Sequence, residues 1–441
     1  MDYEKIYKER LMTADEAIAS VVRDGDRVHT AGHNAPAALL SALMKAIKAH
    51  DLKGIRILGE YKFPEMGLGD PELTADMVKN ECMFLGAKER EYMKTGHVTT
   101  FVPMQLSLER RYNRDIAKPD VVFVETAPPD ENGLCCTGPQ GAGQLGDLWM
   151  FGKKIIAQIN RNCPRVYGHP DIFIPVGKFD AIVEEDSDFH CIIPSVPGET
   201  DKKIAAHITP LIPDGATIQL GIGGMANAIG YALEDHRDLG VHTEMFVESM
   251  VYLQKKGIIN NSKKTYLPGK SVAGFSYGTR ELVDFVRENE ELWFVPYSIS
   301  NGYEHIIRND NMISINSCVM MDITGECDAS SLAGRQYSGT GGHLDYARGA
   351  AAANGGKSFI GFHSTLTDRE GRLVSKIVFH LPDGVYVDTP RSNVQYVATE
   401  YGCVNLFGAD IPDRCRKMIS IAHPAFREKL EFEARRQGLI Y

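Results

Sequence analysis

The sequence predicts an α/β protein made of two similar open α/β domains with mainly parallel sheets, related by internal duplication. Apolar runs of strand length alternate along the chain with longer helix-like runs, which is the pattern of a parallel sheet connected through helices. The chain also contains a copy of part of itself. Residues 23–43, RDGDRVHTAGHNAPAALLSAL, align without gaps on residues 213–233, PDGATIQLGIGGMANAIGYAL, at an offset of 190. Asp24/Asp214, Gly25/Gly215, Ala38/Ala228, Ala42/Ala232 and Leu43/Leu233 are identical, while Val28/Ile218 and Leu39/Ile229 keep their apolar character. Finally, 441 residues with 43% hydrophobic content suit two or three cores better than one.

Taken in order, ADEAIASVV (14–22) reads as a helix. The first repeat copy follows, with an Asp-Gly turn, a short alternating strand, a glycine-containing loop and an Ala/Leu-rich helix. IRILGE (55–60), VVFVET (121–126), IIAQIN (155–160) and AIVEE (181–185) read as strands. Pro194, Pro197 and Gly198 then interrupt HCIIPSVPGETDKKIAAHI, which places the expected domains at 1–197 and 198–441. After the second copy, FVPYSI (294–299) and KSFIGF (357–362) are strand-like. ELVDFVRENEEL (281–292) and PAFREKLEFEARRQG (424–438) are helix-like. A weaker echo sets VVFVETAPPDENG (121–133) against SCVMMDITGECDA (317–329).

Composition narrows the function classes. With 58 acidic against 48 basic residues the net charge is −10, which argues against a broad nucleic-acid surface but leaves room for one phosphorylated ligand. Nine scattered cysteines, with only Cys135 and Cys136 adjacent, form neither a disulfide framework nor a paired zinc motif, so a reducing, cytoplasmic setting is expected. The first twenty residues mix both charge signs without an apolar signal core. No apolar run approaches the ~18 residues of a membrane helix. The fourteen histidines show no H-E-x-x-H spacing, so no metal site is expected.

Several local patterns carry possible chemistry. GIGGMA (221–226) fits G-x-G-x-x-A between a strand and a helix, and Glu244 follows Gly221 by 23 residues, the spacing of a dinucleotide fold's ribose-binding acid. The equivalent first-half loop, AGHNAP, lacks the pattern, and glycines that merely permit a tight turn explain it as well. GFSYG (274–278) fits a nucleophile elbow with Ser276, followed by Asp322 or Asp328 and His343. It lacks an upstream HGGG-type motif. GTGGHLDYARGA (339–350) and NGGKSFIGFHST (354–365), with Arg348 and Lys357, suit an anionic ligand, or equally two turns flanking a helix. LGVHTEMFVES (239–249) puts a glutamate where a buried element should continue.

Taken together and in order, QLGIGGMANAIGYAL, DLGVHTEMF, YSGTGGHLDYARGA, GGKSFIGFHST, TPRSNVQYVATEYG and ISIAHPAFREKL resemble the acetyl-CoA hydrolase/transferase family of family I CoA-transferases, almost from end to end. Within it the chain is particularly similar to the 4-hydroxybutyrate and butyrate CoA-transferases. The resemblance implies two similarly folded α/β domains with the active site between them, and the glutamate of the HTEM motif, Glu244, as nucleophile. CoA would move from a short-chain acyl-CoA, such as acetyl-, butyryl- or 4-hydroxybutyryl-CoA, to a free carboxylate. The route is an acyl-glutamyl anhydride and then a glutamyl-CoA thioester, without metal or permanently bound cofactor, the CoA thioester being substrate. The same glutamate serves an acyl-CoA hydrolase, and a nicotinamide-dependent oxidoreductase is the alternative of another class.

On this basis the GIGG loop (Gly221, Gly223, Gly224) supplies oxyanion donors, and His33 and Asn34 line the acyl side. Gly341, Gly342, His343 and Lys357 form the CoA-binding side, and a homo-oligomer is expected. Three positions depart from the family pattern: Ala226 replaces a proline, His343 a glutamine, and Val247-Glu248-Ser249 a smaller run. If HTEM leads into a helix, Glu248 sits one turn from Glu244, where it raises the Glu244 pKa or shapes the acid pocket.

Overall fold

The computed structural model describes residues 3–95, 97–188 and 191–441. By internal packing the chain forms two compact units: residues up to Ile192 with Val272–Ser300, and Ile193–Ser271 with Asn301–Tyr441. The units therefore do not follow the chain as two contiguous halves. Val272–Ser300 is held in the first unit by specific bonds: His169 N–H donates to the Phe294 carbonyl at 2.8 Å, Glu288 N–H to the Arg165 carbonyl at 3.0 Å, and Ser298 Oγ to Asp147 Oδ1 at 2.6 Å.

In the first unit, seven strands form one parallel sheet: β1 (Arg27–His29), β2 (Ile55–Gly59), β3 (Val78–Cys82), β4 (Thr99–Phe101), β5 (Val121–Thr126), β6 (Lys154–Ile159) and β7 (Ala181–Glu184). Their order is β4-β3-β2-β1-β5-β6-β7. Successive side chains of a strand point to opposite faces, so a continuous apolar run such as VVFVET can bury both. Val121 and Phe123 join one core with Leu39, Leu43 and Ile47, while Val122 and Val124 join another with Leu145, Leu148 and Phe179.

The first helix of the larger core, Ala14–Val21, begins at a capping box. The Thr13 hydroxyl accepts from Glu16 N–H at 3.3 Å, and the Glu16 carboxylate accepts from Thr13 N–H at 2.9 Å. Thr13→Ala is expected to lower stability by about 1 kcal/mol, read as a lower denaturant midpoint at unchanged m-value.

In the second unit, β8 (Thr217–Leu220), β9 (Gly240–Phe246), β10 (Met312–Ser317), β11 (Lys357–Gly361), β12 (Tyr396–Thr399) and β13 (Gly402–Asn405) lie in the order β9-β8-β10-β11-β12-β13. All neighbours are parallel except β12 and β13, a hairpin. Both units thus begin from the same unit of strand, loop and helix, placed mid-sheet with parallel neighbours on both sides. The sequence echo of VVFVETAPPDENG needs correcting by four residues. Val28 pairs with Val121, and its repeat mate Ile218 pairs with Ile313, so residues 121–126 match 313–318 rather than 317–322.

The two copies differ at the loop. In the first, the helix Ala37–Lys48 starts after Pro36; in the second, the helix Gly224–Ala232 starts after Gly223, three repeat positions earlier. Pro36 has no N–H and keeps Ala35 out of the α region, so the helix waits until Ala37. The matching position in the second copy is Ala226, which imposes no such delay. Elsewhere, FVPYSI is a strand only through Phe294. Beyond Pro296 the chain turns into the short helix Tyr297–Ser300, as a proline at a helix entrance favours. ELVDFVRENEEL stays helical only to Val286, because Glu288 takes φ +47°.

Candidate functional site

Glu244 lies near the carboxyl end of β9, where the ligand crevice of a parallel α/β sheet forms. The sequence favours a strand here: Val241 and Thr243 are β-branched, and Val241, His242, Thr243, Met245 and Phe246 are all buried. Glu244 alone among these keeps part of its surface exposed. The expectation that HTEM leads into a helix is therefore corrected. Glu248 opens a separate helix, Glu248–Lys255, beyond the strand end, so the two glutamates are not one helical turn apart.

Asn301 Nδ2 donates to Glu244 Oε2 at 2.7 Å, and the Gly342 N–H donates to the same carboxylate. Burial pushes the Glu244 pKa up to about 7, the Asn301 and Gly342 donors pull against that rise, and the Asp345 charge adds to it. Asp345 is thus a carboxylate whose charge acts on Glu244. Glycine is required at 342 because a Cβ there would collide with Glu244 Oε2 and Asn301 Nδ2. Gly341 before it takes φ +53°. Tyr346, fully buried one turn into the following helix, has its hydroxyl pKa raised by burial and by the charges of Glu244 and Asp345.

The GIGG loop follows β8, the strand beside β9. Gly221 N–H donates to the Ile315 carbonyl at 2.8 Å and so belongs to the sheet ladder. Gly223, at φ +106°, caps the helix that begins at Gly224, and the first amides of a helix have no partner within it. Of the three expected oxyanion glycines, Gly223 and Gly224 are the two at the helix entrance. Ser276 ends a strand before a helix, as an elbow would, but is fully buried.

The expected CoA-side residues separate. Gly341 and Gly342 border Glu244, and His343 starts the helix His343–Ala352 with Nδ1 2.8 Å from Thr389 Oγ1. Burial holds its pKa down, so the ring is neutral. Lys357 instead starts β11, where Nζ donates to the Leu211 carbonyl at 2.6 Å. It pairs with Ile313, level with Ile218 and Val241, and so lies toward the amino ends of the strands. NGG at 354–356 is the turn between that helix and β11. Arg348 is exposed over the Tyr303 ring.

In the first unit, His33 is 6% exposed and stacks on Phe275 at 4.8 Å between the edges of Tyr61 and Tyr277. Burial lowers its pKa to about 3, so it is neutral, and its approach to Glu60 (Nδ1 to Oε2, 3.5 Å) is not an ion pair. Asn34 turns inward, Nδ2 donating to the Glu125 carbonyl at 3.3 Å.

Asn301, Asp345 and Glu60 escaped the sequence reading. Asn301 lay in no stretch that the sequence singled out, Asp345 sat within a glycine-rich stretch read for its cations, and Glu60 closed a strand motif. Among the described residues no group of His, Cys, Asp and Glu is arranged to hold a metal ion, and no helix is long and apolar enough to cross a membrane.

Known proteins resemble the whole chain. Residues 1–194 match the acetyl-CoA hydrolase/transferase N-terminal domain, and residues 278–434 the C-terminal domain of the same name. The 4-hydroxybutyrate coenzyme A transferase of Clostridium kluyveri is 35% identical, covering 99% of this chain and 100% of its own length. The butyryl-CoA:acetate CoA-transferase of Anaerostipes caccae is 36% identical, covering 98% and 97%. The crystal structure of 4-hydroxybutyrate CoA-transferase from Porphyromonas gingivalis, 31% identical, superposes with a TM-score of 0.82 over 99% of this chain and 100% of that one.

Proposed function

Because the chain belongs to the acetyl-CoA hydrolase/transferase family, we propose that it is a CoA-transferase that exchanges CoA between a short-chain acyl-CoA and a free carboxylate, with Glu244 as nucleophile. The observation that carries this reading is the carboxylate at a strand's carboxyl end, held by Asn301 Nδ2 and the Gly342 amide. A Glu244 oxygen attacks the acyl carbonyl carbon, the C–S bond breaks, and CoA leaves as thiolate from a mixed anhydride. The thiolate then attacks the glutamyl carbonyl carbon and the C–O bond to the acyl group breaks, releasing the first acid as carboxylate and leaving a glutamyl-CoA thioester. A second carboxylate reverses both steps.

With Oε1 as the attacking oxygen, Asn301 donates to the oxygen that becomes an oxyanion when the thiolate attacks the glutamyl carbonyl, and the Gly342 amide donates to the same carboxylate. The donors of the resting carboxylate thereby stabilise the charge that develops on it. Gly223 and Gly224 suit the oxyanion of the first attack, and Gly341, Gly342 and His343 the CoA side. His33 suits the acyl side, while Asn34 and Lys357, tied to backbone carbonyls, are left without a direct part in this reading. A cytoplasmic homo-oligomer is part of the same reading. Hydrolysis by the same glutamate differs only in its final acceptor, and release of free CoA without an acceptor acid measures it.

Incubation with acetyl-CoA or butyryl-CoA, followed by peptide mass spectrometry, is expected to map a CoA adduct to Glu244, and borohydride to convert it to the alcohol. No adduct with any short-chain acyl-CoA overturns the reading. Since the ionised form attacks and its pKa is about 7, kcat/KM for the acyl-CoA is expected to fall about tenfold per pH unit below that value and to level off above it. An unperturbed glutamate would put this limb near pH 4.3.

A further inference from the structure

The glycine turn that carries the Gly342 amide is held at both ends by one short segment, Asp388-Thr389. Gly341 takes φ +53°, and Gly342 has no side chain to cap the helix it precedes. Two glycines in succession leave a chain free to take many conformations, so an amide placed on them keeps its aim only if its flanks are fixed.

After the turn, His343 Nδ1 lies 2.8 Å from Thr389 Oγ1, across 46 residues of chain. The Ser317 carbonyl stands near the neutral ring, yet Nε2 is buried without a hydrogen-bond partner, so Thr389 is the ring's anchor. Thr389 is itself fixed. It is fully buried, and it exchanges backbone bonds with Cys327: Cys327 N–H donates to the Thr389 carbonyl at 3.1 Å, and Thr389 N–H to the Cys327 carbonyl at 3.2 Å. Before the turn, the Asp388 carboxylate accepts from the Ala329 amide and the Ser330 hydroxyl, both at 2.8 Å. The Ser330 carbonyl in turn accepts from the amides of Tyr337, at 2.8 Å, and Ser338, at 3.1 Å. Residues 339–342 are therefore clamped from both sides.

We propose that Asp388 and Thr389 are positioning residues for the transfer reaction: through Ser330 and His343 they fix the turn that places the Gly342 N–H on the nucleophile. This rests on the CoA-transferase reading and adds how the second donor of its carboxylate is held. Thr389 gives the sharper test, since valine matches its shape and removes only the hydroxyl. Glu244 is faced by Asn301 and by Asp345 and Tyr346 of the helix after the turn, and Tyr346 and Ala350 pack that helix against Ile306 and Met312. Losing the Thr389 hydroxyl thus loosens the turn while these groups stay. The donor given up is one that favours the ionised carboxylate.

The test follows adduct formation on Glu244 in a single turnover, against pH, in Thr389→Val, His343→Leu, the double variant and Thr389→Ser. Acetyl-CoA is kept saturating, so that a change in CoA binding alone leaves the rate unmoved. Thr389→Val and His343→Leu are each expected to slow the step by about tenfold, as a modest misplacement of a reacting group does. Both remove the same bond, so the double variant is expected to be no slower than the slower single. In all three the acid limb is expected to move upward from about 7, while Thr389→Ser, which keeps a hydroxyl, restores rate and limb toward wild type. An acid limb unmoved in Thr389→Val, or losses that multiply in the double variant, overturns the inference alone. Should Thr389→Val not fold, His343→Leu, at a half-buried position, carries the same readout. Absence of a CoA adduct on wild-type Glu244 overturns the parent reading instead, so the two failures are distinct.

Discussion

Glu244→Ala is expected to abolish both the CoA adduct and steady-state exchange, lowering kcat by about 10^4-fold or more, the scale on which removal of a covalent nucleophile acts. Alanine removes the attacking oxygen and leaves the Asn301 donor facing an empty site, while the strand loses little, since Met245, Phe246 and Val241 supply its packing. Unchanged thermal stability beside lost activity therefore separates chemistry from folding. Glu244→Asp keeps the charge but withdraws it by about one methylene. A displacement of ~1 Å from a productive geometry costs about 10²-fold, so this variant is expected to fall between wild type and alanine. Retention of wild-type exchange by Glu244→Ala would remove the glutamate from the mechanism.

Gly342→Ala should be the next most damaging change, although it adds a single methyl group. The new Cβ would occupy the space of Glu244 Oε2 and Asn301 Nδ2 at once, so the carboxylate must turn away from both of its donors. Single-turnover adduct formation is expected to slow by about 10²-fold or more. A second readout follows from the sign of the electrostatics. Both donors favour the ionised carboxylate, so losing them raises the Glu244 pKa further, and the acid limb of the pH profile moves upward from about 7. A variant that is merely unstable would lose activity without moving that limb. Activity and pH profile both like the wild type would show that Gly342 does not bear on the carboxylate.

Much of the architecture was legible in the chain. The gapless repeat located the same unit of strand, loop and helix in both sheets, and the doubly buried runs VVFVET and IIAQIN lie as parallel neighbours mid-sheet. The family was legible through ordered motifs. What stayed hidden depends on the crossovers between strands. Asn301 meets Glu244 across 57 residues of chain, and nothing local marks it. Asp345 reaches Glu244 because the Gly341-Gly342 turn aims the start of a helix at the strand end. Lys357 stands close in sequence to those glycines, yet the helix His343–Ala352 carries the chain away before β11 begins. Proximity along the chain overstated its part in the site. The weaker echo failed for a related reason: acidic, glycine-containing turns resemble one another, and only hydrogen-bond register fixes which strand residues correspond.

Pro36 separates two carboxylates that the duplication left in equivalent places: Glu60 lies three residues past Ile57, the partner of Val28, and Glu244 three past Val241, the partner of Ile218. With Ala226 at the matching position, the second helix begins at once and sets its unpaired amides directly after β8, where they can balance negative charge near the end of the adjoining strand. The proline pushes the first helix back, and the stretch it removes from the helix is filled by side chains, among them His33. Glu60 consequently faces an uncharged ring and another acid instead of a helix's positive end. One ring closure in the backbone thus decides whether a strand-end carboxylate neighbours the positive end of a helix or the side chains that stand in its place.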